Sequence, residues 1–136
     1  MKALIALLFA ITLVTPAYAS DQPDAEPIHH FKLADLTSAA DAKRIFIEKT
    51  AEMKSKTNLD AAALHEIHII TYTLEKSVEF FTQNLTGNQQ AQAKALAIVV
   101  EDIHLSSENN QTDKTQQHLN QYFQLADKFI AALSEA

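Results

Sequence analysis

Apolar residues recur every three or four positions from residue 37 to the end of the chain, and no proline interrupts them. This period is typical of amphipathic α-helices that pack their apolar faces together. The clearest stripe comprises Leu64, Ile67, Thr71, Leu74, Val78, Phe81 and Leu85. It runs unbroken through the β-branched residues at 67–73, so the pattern predicts a helix there in spite of their strand propensity.

The same period predicts four helices in all. The first begins after Thr37 or Ser38 as N-cap and ends near residue 55. The second begins near Asn58, whose side chain is the predicted cap, and ends near residue 84. The other predicted inward residues are Ala39, Ala42, Phe46, Thr50 and Met53 on the first helix, Ala93, Leu96, Val99, Val100 and Ile103 on the third, and Leu119, Tyr122, Phe123, Ala126, Phe129, Ile130 and Leu133 on the fourth.

Turn residues separate the later helices. Gly87 is predicted to supply a left-handed conformation in a turn at residues 86–88, and the third helix follows from about residue 89 to 106. A polar loop then leads to Thr112, the predicted cap of a fourth helix that ends near residue 133. Because short connections make successive helices antiparallel, the predicted fold class is all-α, an up-down-up-down four-helix bundle with an N-terminal extended arm.

Composition narrows the possible folds and chemistry. The 136 residues include one glycine, three prolines and no cysteine. A chain of this length forms one domain, and it lacks the turn residues that a β-sandwich or barrel requires. Without cysteine there is no disulfide, no thiolate metal site and no cysteine nucleophile. The remaining candidate chemistry belongs to histidine, carboxylate and hydroxyl groups.

Residues 1–19 have the pattern of a secretory signal peptide. Lys2 precedes an apolar run, and Ala17, Tyr18 and Ala19 form a small-x-small cleavage site. The alternative, a membrane anchor, is disfavoured because the apolar run is about a dozen residues and a spanning helix needs roughly 20. We therefore expect cleavage after Ala19, a periplasmic location, an extended arm at residues 20–36, a helical bundle domain at residues 37–136 and no membrane span in the cleaved chain.

The charge pattern excludes two kinds of partner. The formal net charge is −6 at pH 7, and the loss of Lys2 with the signal peptide makes it −7. Nucleic acids and anionic lipid surfaces are bound by clustered lysine and arginine, whereas the basic residues here are scattered singly. We expect neither as a partner.

Two histidines are placed to meet between helices. His68 lies 19 residues before Gly87 and His104 lies 17 residues after it. On antiparallel helices that rise about 1.5 Å per residue, they stand within roughly 3 Å of the same height. Each follows an apolar stripe residue, Leu64 or Val100, by four positions, so the two rings can face each other.

Imidazoles on facing helices of a bundle hold Zn, Cu, Ni or haem iron, so we name His30, His68 and His104 as candidate metal ligands. His30 is included because about ten extended residues of the arm reach roughly 30 Å. Tyr72 and Glu108 are the candidate supporting residues, since either side chain lies within a turn of one histidine and Glu108 is able to ligate or to orient a ring. The pattern does not choose between a transition metal and haem.

The histidine pattern also allows other interpretations. A buried pair that satisfies its own hydrogen bonds with Tyr72 or Thr71 needs no metal. In that case the protein is an interaction module that binds another envelope protein through its arm or a helix face. A third hypothesis is pH sensing by buried imidazoles. We predict that His29, His65 and His118 are surface histidines, although His118 lies near the height of His104 and is a conceivable further ligand.

No catalytic motif is present in the sequence. The His65-Glu66-x-His68 segment differs from the zincin motif, whose histidines stand four apart. The segment from Glu101 to His104 lacks the second Glu-x-x-His copy that a di-iron bundle requires. No strand-turn-helix elbow presents a nucleophilic serine. We expect a non-enzymatic binding protein.

Three segments carry a resemblance to a known family: HFK at residues 30–32, EIHIITYTLE at 66–75 and EDIHLSSE at 101–108. They resemble a family of small exported proteobacterial helical proteins catalogued as a domain of unknown function. The likeness spans most of the chain after the signal peptide, in similar order and spacing. It implies a signal peptide and a helical body, and it implies no activity.

Overall fold

The computed structural model describes residues 33–134. Within this range it has four α-helices and no strand: α1 (Ala39–Lys54), α2 (Ala61–Asn84), α3 (Gly87–Glu108) and α4 (Thr112–Ser134). Each helix packs on the next one in the chain, and α4 also contacts α1. The predicted all-α four-helix bundle is confirmed.

The core is built from the predicted apolar stripes. All five predicted residues of α3 are buried, and those of α2 are buried except Leu85, which is half-buried. Ala39 was predicted to face inward and is exposed, because it is the first residue of α1 and the inner face begins only at Ala42. On α4, three of the predicted inward residues are half-buried: Phe123, Ile130 and Leu133.

Aromatic rings from three helices meet around Phe46. Its ring makes edge contacts with Phe81, Tyr122 and Phe129, at centroid separations of 6.1, 6.3 and 5.5 Å. The buried Tyr122 hydroxyl is hydrogen-bonded to Thr50 Oγ1 at 2.7 Å, so the aromatic core contains no unpaired hydroxyl at this point.

The helix starts follow capping chemistry, with one change of residue. Ser38 caps α1, since its Oγ accepts from the backbone N–H of Asp41 at 3.3 Å. The cap of α2 is Asp60 and not Asn58: Oδ1 of Asp60 accepts from the N–H of Ala63 at 2.9 Å. A carboxylate is favoured there because the helix N-terminus carries partial positive charge. Asn58 instead donates from Nδ2 to the other carboxylate oxygen of Asp60 at 3.2 Å.

The two later turns also differ from the prediction. Gly87 has the predicted positive φ, 59°, but it is the first residue of α3, and the link after α2 consists of Leu85 and Thr86 in extended conformations. The predicted loop after residue 106 is shorter, because α3 continues to Glu108 and the hydroxyl of Ser107 donates back to the Ile103 carbonyl. Thr112 is therefore the first residue of α4 and not its cap.

The described end of the predicted arm, residues 33–36, is not helical, and neither are residues 37 and 38 that follow it. Leu36 packs against the core, and Asp35 pairs with Lys76 of α2 at 2.8 Å. The predicted signal peptide and the rest of the arm, with His29 and His30, lie outside the described residues and stay predictions. In residues 33–134, none of the helices has the length and apolar character needed to cross a membrane.

Candidate functional site

His68 and His104 meet inside the bundle. Their side chains project from α2 and α3, the two residues are 2% and 7% exposed, and the ring centroids are 4.6 Å apart at an interplanar angle of 61°. The link at Leu85 and Thr86 lies about equally far from both residues along the chain, which brings them to one height. The predicted encounter of the two rings is therefore present, while their role as metal ligands stays a prediction.

Tyr72 joins the two rings as a third member. It lies one turn after His68 on α2, and its hydroxyl is hydrogen-bonded to Nε2 of His68 at 3.1 Å. Its ring also stands nearly perpendicular to that of His104, at 4.9 Å and 89°. Tyr72, which the sequence analysis placed beside the histidines, therefore contacts both of them.

The second nitrogen of His68 has a different environment. Nδ1 of His68 is buried, and among the described residues no group makes a hydrogen bond with it. An unpaired buried polar atom costs about 1–3 kcal/mol. It is also the kind of atom that calls for an explanation, such as a ligand bound at that position.

His104 is held from α2 through its Nδ1 atom. Thr71 Oγ1 lies 3.0 Å from this nitrogen, and Oε1 of Glu75 also lies 3.0 Å from it. The Thr71 side chain is fully buried and also donates a hydrogen bond to the backbone carbonyl of His68 at 2.6 Å. We call His68, Thr71, Tyr72, Glu75 and His104 the histidine cluster.

The environment of the histidine cluster favours a neutral imidazole at His68 and a neutral phenol at Tyr72. Burial, and then the positive charge that His104 carries when protonated, lower the pKa of His68 below its ordinary value, although Glu108 and the backbone of His104 act in the opposite direction. Burial, followed by the negative charges of Glu108 and Glu75, raises the pKa of Tyr72. Near neutral pH, His68 is therefore an uncharged imidazole able to offer a lone pair.

The remaining predicted residues lie outside the histidine cluster. Glu108 is half-buried at the end of α3 and acts on His68 and Tyr72 through its charge. His65 is exposed, in line with its predicted surface position. His118 lies 4.0 Å from Asp102, which is two residues from His104 and so about 200° away around α3. The structure thus brings His118 to a different face.

Sequence reasoning missed Glu75 as a partner of His104. The available signal was its position on α2, four residues after Thr71 and three after Tyr72, which places all three side chains on neighbouring parts of one face.

In the part of the chain that the structure describes, no group of three or more His, Cys, Asp or Glu side chains is arranged to hold a metal ion. Metal or haem binding at the cluster therefore stays a prediction.

Comparisons with known proteins give the chain a family and no activity. The model of DUF6746, described as a family of unknown function, matches residues 1–131. No curated protein and no solved structure matches the chain significantly.

Proposed function

The chain belongs to DUF6746, a family of unknown function, and from that premise we propose that it is an exported, non-enzymatic protein that binds a transition-metal ion through His68 and His104. The observation that carries this proposal is the buried Nδ1 atom of His68, which has no hydrogen-bond partner among residues 33–134, on a ring 4.6 Å from that of His104. A metal ion would satisfy this nitrogen and use two neutral imidazoles, the usual protein ligands of Zn, Cu and Ni.

The spacing of the rings supports a small ion over haem. Two imidazoles bound to adjacent corners of a tetrahedral ion have centroids about 5 Å apart, given metal–nitrogen bonds of about 2.0 Å. Two imidazoles on opposite faces of one haem iron stand about 6 Å apart with the porphyrin plane between them. The observed 4.6 Å favours the first arrangement.

His68 and His104 supply two ligands. We assign the remaining roles to side chains whose chemical type binds metal ions or supports their ligands. His30, which lies outside the described residues, is the proposed third ligand, and Glu108 is a supporting carboxylate near His68. The apolar run and the cleavage site at residues 1–19 support export to the periplasm, where the protein would meet the metal.

The test is elemental analysis of the protein isolated from the periplasmic fraction without chelator, followed by thermal unfolding with Zn²⁺, Cu²⁺ or Ni²⁺. We expect bound metal, and a rise in the melting temperature of about 10 °C or more at a metal concentration 100 times the dissociation constant. The gain should disappear in His68→Ala and His104→Ala. His65→Ala is the matched control, because His65 is exposed on the same helix one turn earlier and should leave the gain intact.

Two results would overturn the proposal. One is the absence of stabilisation by all three ions. The other is equal stabilisation of wild type and His68→Ala, which would assign binding to surface histidines and leave the pair with a structural role. Loss of affinity in His30→Ala is the expected result for the third ligand. Recovery of the protein only from the cytoplasm would overturn the export part.

A further inference from the structure

We infer that Thr71, assisted by Glu75, fixes the tautomer of His104 so that Nδ1 carries the hydrogen and Nε2 carries the lone pair. Thr71 is then a positioning residue, because it acts on a metal only through His104. The assignment of Nε2 as the metal-binding atom rests on the proposed function. The tautomer itself does not, since it follows from contacts within the metal-free protein.

The argument begins with the single hydrogen of the Thr71 hydroxyl. That hydrogen is donated to the backbone carbonyl of His68 at 2.6 Å, and a carbonyl is able only to accept. Towards Nδ1 of His104, 3.0 Å away, the hydroxyl oxygen must then be the acceptor. An acceptor at that distance requires a hydrogen on Nδ1, and in a neutral imidazole the other nitrogen is left with the lone pair.

Glu75 favours the same tautomer through its charge and not through a second hydrogen bond, since Nδ1 carries only one hydrogen and Thr71 accepts it. Its Oε1 atom lies 3.0 Å from the same Nδ1, and an ionised carboxylate is also only an acceptor. A lone pair on Nδ1 would face two oxygen atoms at 3.0 Å without a hydrogen between them. Both contacts come from one face of α2, so the helix that carries His68 also orients the ring of His104.

This arrangement corresponds to a common device at metal sites. A ligating histidine usually donates its second N–H to a carboxylate or another oxygen, which orients the ring and makes the ligating nitrogen more basic. Here the two oxygens of Thr71 and Glu75 hold Nδ1, which directs ligation to Nε2 of His104. Loss of such partners typically weakens metal affinity by about 10–100-fold.

The first test is long-range ¹H–¹⁵N NMR of the metal-free wild-type protein at pH 8. We expect His104 to show a protonated Nδ1 and an unprotonated Nε2. The reverse pattern would overturn the inference, whether or not the protein binds metal. This measurement needs no variant, so it does not depend on the stability of any substitution.

The second test compares the double variant Thr71→Val/Glu75→Leu with Thr71→Ser. Valine keeps the size of threonine without the hydroxyl, so the double variant should show a second population with the hydrogen on Nε2. Its Zn²⁺ affinity should fall about 10–100-fold. Serine restores the acceptor, and Thr71→Ser should keep the wild-type tautomer and affinity. A double variant that retains only the Nδ1–H form would overturn the inference.

The two proposals fail in different ways. If wild type has the Nδ1–H tautomer but binds no Zn²⁺, Cu²⁺ or Ni²⁺, the proposed function is wrong and the role of Thr71 stands. If the tautomer changes in the double variant while the Zn²⁺ affinity is unchanged, ligation through Nε2 of His104 is wrong.

Discussion

At the scale of single residues, two features of His68 stand together. It is buried beside a second imidazole, and one of its two nitrogens has no hydrogen-bond partner among the described residues. Tyr72 satisfies only the other nitrogen. Burial disfavours the charged form of the His68 ring and so lowers its pKa.

This lowered pKa predicts how stability depends on pH in the metal-free protein. The unfolded chain binds a proton at His68 near the ordinary pKa of 6.5, whereas the native protein binds it only at lower pH. As the pH falls below about 6.5, the unfolded state therefore gains protons relative to the native state, and the free energy of unfolding decreases. The decrease should end once native His68 is itself protonated. Urea denaturation between pH 7.5 and 5, with chelator present, measures this slope.

Substitution identifies the residue responsible for that slope. His68→Gln should flatten the dependence below pH 6.5, because the titrating group is gone. His65→Gln should change it only slightly, since His65 is exposed and its charge is the smallest of the effects on the pKa of His68. A slope in His68→Gln as steep as in wild type would assign the effect to other groups.

At the scale of the helices, the periodic apolar pattern decides where each element lies, and local hydrogen bonds decide where it begins. The stripe of α2 predicts the body of the helix, yet the choice between Asn58 and Asp60 as cap depends on which side chain points back at the first free N–H groups. The structure assigns this role to Asp60, whose Oδ1 accepts from Ala63. Both residue types are common caps, so spacing alone does not separate them.

The cap of α2 gives a prediction at this scale. Asp60→Ala should lower the free energy of unfolding by about 1 kcal/mol, because it leaves the N–H of Ala63 without its partner. Asp60→Asn, which keeps a side-chain acceptor, should lose less. The urea midpoint at constant m-value measures both changes.

Asn58→Ala is the matched control for the cap. Asn58 lies two residues away and makes one exposed hydrogen bond, to Asp60 itself. Its replacement should change stability by no more than about 0.5 kcal/mol. A larger loss in Asn58→Ala than in Asp60→Ala would show that Asn58 is the functional cap after all.

At the scale of the whole molecule, one continuous apolar core stabilises the bundle. The chain has no cysteine, so no disulfide adds to this stability. Phe46 of α1 links α2 and α4, because its ring contacts Phe81 of α2 and both Tyr122 and Phe129 of α4. The histidine cluster lies between α2 and α3 in the same bundle. The packing of the core therefore sets the distance between the two imidazoles.

Truncation of Phe46 should destabilise the whole molecule. Phe46→Ala creates a cavity beside the three buried rings that Phe46 contacts and is expected to cost about 3–5 kcal/mol, in a single cooperative transition. Ile98→Ala, at a residue that is 66% exposed on α3, should change stability by less than about 0.5 kcal/mol. Thermal and urea unfolding followed by circular dichroism measure both. A second transition in Phe46→Ala would contradict a single cooperative unit.

The sequence by itself determined the four helices, their order and the equal height of His68 and His104. These features depend on local periodicity and on a constant rise per residue, both of which are readable along the chain. The approach of Thr71 and Glu75 to Nδ1 of His104 was decided only by the tertiary structure. The same holds for the choice of Asp60 as cap and for Nδ1 of His68, which no group in the described part of the chain hydrogen-bonds. Hydrogen bonds require distances near 3 Å, and the rotation of each helix about its axis and the rotamer of each side chain must be set before such contacts are defined.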